Sequence, residues 1–118
     1  MDKIDRNIII IKAVLQHCKN IYSAQKRFGK NMETFTKDTD YFNSVCMSLL
    51  QIGELANHLT DKFKQVNKSI PWRQIIGLRN IVVHRYGQID IEVIWATVKE
   101  DVPKLHNYCK RLIEESKV

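Results

Sequence analysis

The 118-residue chain holds few of the residues that make tight reversals, four glycines and two prolines. β-rich folds of this size turn on many of both, so their scarcity points to helix. Cysteine is sparse too. Cys18, Cys46 and Cys109 are far apart, odd in number and free of C-x-x-C spacing, which suggests reduced core thiols and neither a disulfide framework nor a zinc ribbon. No apolar run approaches the roughly 20 residues of a membrane span, and Met1-Asp2-Lys3-Ile4-Asp5-Arg6 leads into no uninterrupted apolar segment of the secretory kind. A soluble, cytoplasmic protein with no membrane partner is expected. Repeats, linkers and low-complexity tracts are also missing, so residues 1–118 read as one domain.

What the chain has is apolar residues at helical spacing. Ile4, Ile8, Ile11, Leu15, Cys18 and Tyr22 alternate steps of four and three, with Ile9, Ile10 and Val14 widening the stripe so that this helix meets more than one neighbour. Gly29 is the expected stop. Phe42, Val45, Leu49, Ile52, Ala56 and Leu59 draw a second long helix after the polar stretch 30–40. The stripe lapses over 61–69, and Pro71 starts a third, shorter helix running into the His84 region. Gly87 interrupts it. Asp90 caps a fourth helix carrying Ile91, Ile94, Val98, Val102, Leu105, Cys109 and Leu112, with Pro103 placing a kink or break near Glu100 to Val102. The expected architecture is all-α, an up-and-down bundle of four to five helices.

Nineteen Lys and Arg against thirteen Asp and Glu give a net charge of +6, which concentrates polyanions near the surface and makes nucleic acid the natural partner. Within Arg79-Asn80-Ile81-Val82-Val83-His84-Arg85-Tyr86 lies a set suited to cutting RNA without a metal ion. A histidine with a pKa near neutrality can take the proton from a ribose 2′-hydroxyl, which then attacks the adjacent phosphorus and leaves a cyclic 2′,3′-phosphate. Arg79 can hold two phosphate oxygens and oppose the charge added in the transition state. Asn80 and His84 are i,i+4 neighbours, so the amide can orient the imidazole. Arg79 lies about 140° round the helix from His84. The two converge on one phosphate only if the helix unwinds before His84 or if a second copy faces the first across a two-fold axis. No acidic or histidine cluster with ligand spacing accompanies the motif, so no metal or other cofactor is expected.

Ile70-Pro71-Trp72-Arg73-Gln74-Ile75-Ile76-Gly77-Leu78-Arg79-Asn80, Val83-His84-Arg85-Tyr86-Gly87, and the flanking Ile52-Gly53-Glu54, Ile94-Trp95 and Asp101-Val102-Pro103-Lys104-Leu105 resemble the HepT branch of the HEPN superfamily. The resemblance implies a HEPN-like helical toxin of a toxin–antitoxin pair, acting as a metal-independent endoribonuclease in a homodimer cleft. It implies Arg79, Asn80 and His84 as the catalytic set. It also implies that an MntA-like nucleotidyltransferase antitoxin silences the enzyme by attaching AMP to Tyr86, which would put bulk and negative charge into the RNA cleft. Arg85 is an extra cation read as an RNA contact. Glu54 is read first as an exposed helical glutamate, with support of the cleft as the other reading. His17, His58 and His106 read as surface or packing histidines, and Trp72 and Trp95 as core. The alternative from a different class is a non-catalytic dimeric partner that binds a nucleotide or a nucleotidyltransferase.

Overall fold

The computed structural model describes residues 5–83 and 91–117, which form helices and turns with no strand among them. Helix α1 spans Arg6–Phe28, α2 Met32–Lys37, α3 Thr39–Ala56, α4 Asp61–Val66, α5 Trp72–Ile76, α6 Leu78–Val83 and α7 Ile91–Ala96. A π turn at Thr97–Asp101 joins α7 to α8, Val102–Ser116. The long helices carry the bundle, with α1 packed between α3 and α8, and α3 bearing α5 and α6 on another side.

That sandwiched position explains why the apolar face of α1 is broad. Its buried line is Ile11, Val14, Cys18, Ile21 and Ala24, while Leu15 and Tyr22 from the expected stripe are half-buried beside it and Ile9 is exposed. The C-terminal end of α1 is the expected stop, and its N-terminal end is capped as well. The Asp5 carboxylate accepts from the amides of Asn7 and Ile8, and Gly29 takes a φ of 105°, in the left-handed region that favours glycine, with its amide donating to the Gln25 carbonyl. On α3, Val45, Leu49, Ile52 and Ala56 are fully buried, and Leu59 nearly so just beyond it. From α7 through the π turn into α8, Ile94, Val98, Val102, Leu105, Cys109 and Leu112 are buried in turn.

Proline explains the π turn. Pro103 has no amide to donate back along the helix and its ring crowds the preceding turn. The strain is taken up one turn earlier than a sharp kink would place it, across Thr97–Asp101, where the buried Thr97 hydroxyl donates to the Val93 carbonyl at 2.8 Å.

Two stretches without an apolar stripe are nonetheless helical. In α2, Asn31 caps the amide of Thr34, and fully buried Phe35 anchors the segment against the rings of Tyr41, Phe42 and Trp95. In α4, Thr60 caps Phe63, and the Asn7 side chain exchanges two hydrogen bonds with Thr60, tying the helix to the start of α1. The third expected helix is divided at Gly77 into α5 and α6, the amide of Asn80 bonding back to the Gly77 carbonyl at 3.0 Å. Trp72 and Trp95 are core residues, and all three cysteines are buried free thiols whose pKa burial pushes up, to about 12 for Cys18 and Cys109 and about 11 for Cys46. Among the described residues no helix is long and apolar enough to cross a membrane.

Candidate active site

Gly53 sets how closely α6 approaches α3. A Cβ at this position would lie 2.7 Å from the Arg79 amide nitrogen, 2.9 Å from the Ile76 carbonyl oxygen and 3.0 Å from the Arg79 Cβ. Only a hydrogen fits, so the backbone of α6 rests directly on α3 and Arg79 starts from a fixed place beside the next residue, Glu54. There the Arg79 Nη1 donates to the Glu54 Oε1 at 2.6 Å. Both side chains remain partly in solvent, 41% exposed for Arg79 and 45% for Glu54. They line an open groove of about 540 Å³ with Leu50, Gln51 and Asn80.

Glu54 is thus a half-exposed glutamate on α3 that is also the counter-charge of Arg79. One Nη1 contact leaves most of the guanidinium's five donors without a protein partner among the described residues, an arrangement chemically able to hold an oxyanion. Asn80 is exposed beside it, and its side-chain amide makes no hydrogen bond among the described residues. Helix α6 is continuous over Leu78–Val83, with no unwinding within that stretch. His84, Arg85 and Tyr86 lie outside the described residues, as do Gly87 and the Asp90 cap.

The other histidines lack site-like company. His58 is exposed, and His106 packs its ring 5.1 Å from that of Tyr22. His17 is half-buried, with a buried Nδ1 that has no hydrogen-bond partner among the described residues and a pKa lowered by burial. No cluster of three or more histidine, cysteine or acidic side chains occurs among the described residues.

Together these features describe an all-α bundle in which Arg79, paired with Glu54, borders an open groove. The family description "Ribonuclease HepT-like" matches residues 4–112, and the chain belongs to that family. It is 28% identical over 107 residues to a "putative RNase" of Caldanaerobacter subterraneus, covering 91% of this chain and 94% of the relative. Over 80 residues it is 39% identical to a "putative RNase" of Methanocaldococcus jannaschii, covering 60% and 73% of the two chains. A "probable ribonuclease HepT" of Thermococcus cleftensis is 31% identical over 90 residues, 69% of this chain and 82% of the relative. No solved structure gives a significant match. The enzyme class is that of an endoribonuclease.

Proposed function

We propose that this chain is the toxin of a toxin–antitoxin pair, that two copies form a cleft in which RNA is cut without a metal ion, and that a nucleotidyltransferase antitoxin of the MntA kind silences it by adenylylating Tyr86. The observation that carries this reading is the Arg79–Glu54 pair, which holds a permanent cation in a fixed direction at an open groove. Arg79 then binds the scissile phosphate and opposes the charge gained at the transition state. His84 removes the 2′-hydroxyl proton, Asn80 orients its imidazole, and the 2′-oxygen attacks phosphorus. The 5′-oxygen departs as a hydroxyl after taking up a proton, and a cyclic 2′,3′-phosphate remains.

Two features favour a second copy facing the first. Arg79 and a residue five positions on point about 140° apart on a regular helix. Met47, 55% exposed, extends the α3 face of Leu50, Gln51 and Glu54 that borders Arg79, and an exposed methionine beside a polar rim suits an interface.

Expression of the chain without its partner is expected to degrade cellular RNA and arrest growth. Arg79→Ala and His84→Ala should each lower cleavage by about 100-fold or more, a loss typical of removing a transition-state donor or a general base. Cleavage unchanged in both variants overturns the reading. Incubation with the nucleotidyltransferase and ATP should add AMP mass to Tyr86 and stop cleavage.

A further inference from the structure

A second groove, sharing no residue with the one at Arg79, lies where the end of α1 meets the π turn and the start of α8. Its volume is about 680 Å³, and Lys26, Lys30 and Lys99 line it with no acidic residue among the lining. None of the three lysines makes an ion pair among the described residues. Gln25, only 6% exposed as a whole residue, also lines the groove, and its side-chain amide makes no hydrogen bond among the described residues but is not sealed from solvent. An amide open to the groove can donate to whatever occupies it, and three cations without a counter-charge in the lining specify that occupant as an anion. The π turn at Thr97–Asp101 presents Lys99 to this groove, and Pro103 and Tyr22 supply its apolar sides.

We propose that this groove is a phosphodiester-binding site that holds the RNA strand away from the point of cleavage, the lysines taking phosphate oxygens and Gln25 donating from the floor. The proposal rests on the reading of the chain as an enzyme acting on RNA. An open groove ringed by lysines suits a strand that enters and continues past it, because phosphate contacts need charge and no base pocket.

The probe is a fluorescent 20-nucleotide 2′-O-methyl oligouridylate, which lacks the attacking hydroxyl and stays intact on the wild-type enzyme. Replacing Lys26, Lys30 and Lys99 together by alanine should weaken its binding about tenfold or more at low salt. The slope of log affinity against log salt should become shallower by about 2, since each single-strand phosphate contact contributes about 0.7. Replacing the same three by arginine should restore both. All three lysines are exposed, and circular dichroism should show the fold unchanged. Affinity and slope within twofold of wild type overturn the proposal, as does loss of ATP binding with RNA binding retained, which would mark a nucleotide site. Cleavage of an unmodified RNA, followed in parallel, separates the two readings. Lysine-dependent binding without cleavage sinks the nuclease assignment alone, and cleavage with lysine-independent binding sinks the groove alone. A wild-type protein that neither binds nor cuts RNA sinks both.

Discussion

The Arg79–Glu54 contact contributes little to the stability of the fold. Ion pairs this exposed contribute about 0.2–1 kcal/mol, comparable to the side-chain freedom lost in holding two long side chains still. Its effect is on direction. A guanidinium fixed from one side presents its remaining donors to a phosphate without first being ordered, which is how positioning lowers a barrier. Glu54→Ala is therefore expected to lower kcat for RNA cleavage by about tenfold, as expected for a positioning contact, while KM stays level or falls because a negative charge near the phosphate is gone. Glu54→Gln keeps an acceptor for Nη1 and should recover most of kcat. Steady-state kinetics and a melting curve decide the matter. A lower melting temperature with kcat intact would show a merely structural role. Arg79 and Asn80 were legible as candidates because they lie within one short motif, whereas the partner of Arg79 lies 25 positions earlier and no local spacing announces it.

The long helices were legible for the converse reason. An apolar residue every third or fourth position is a local signal, and α3 and α8 bury the residues that signal names on them apart from the partly buried Phe42. Helices α2 and α4 have six residues each, too few to show a period, and depend on Asn31, Thr60 and the single buried ring of Phe35. The division at Gly77 was hidden because its cause is partly on another element, the close approach of α6 to Gly53. Gly53→Ala tests that approach. Its methyl meets backbone atoms at 2.7 and 2.9 Å, which cannot rotate away as a side chain would, so α6 must shift. Overpacking of this kind costs about 1–3 kcal/mol, and thermal unfolding should register it. The same shift moves Arg79 off its place beside Glu54, so activity at a temperature where the variant is fully folded should fall as well. A stable, fully active Gly53→Ala protein would mean that the contact between α3 and α6 is looser than the geometry requires. The lysine groove had no sequence signal at all, since Lys26 and Lys99 are distant in the chain and meet only because α1 packs on the last helix.

For the whole molecule, pairing would decide whether the candidate set works as a unit. Two chains together carry twice the charge of +6, so pairing meets long-range repulsion, and high salt should favour the pair while weakening RNA binding. Residues from two chains in one cleft also predict a result that neither chain gives alone. If Arg79 of one chain acts with His84 of the other, mixing inactive Arg79→Ala and His84→Ala proteins creates heterodimers with one complete site. After subunit exchange, cleavage should rise to roughly a quarter of wild type, since about half the dimers are mixed and each has one of two sites. Mixing the Arg79→Ala protein with itself supplies the baseline. If both residues of a site come from the same chain, the mixture stays at that baseline, because every site then lacks one member. Dilution gives an independent check, as cleavage per chain should fall steeply below the concentration at which sedimentation shows the pair separating. Activity that stays proportional to chain concentration through that range would place the complete site within one chain, and the helix would then have to turn between Val83 and His84 to bring the imidazole to Arg79.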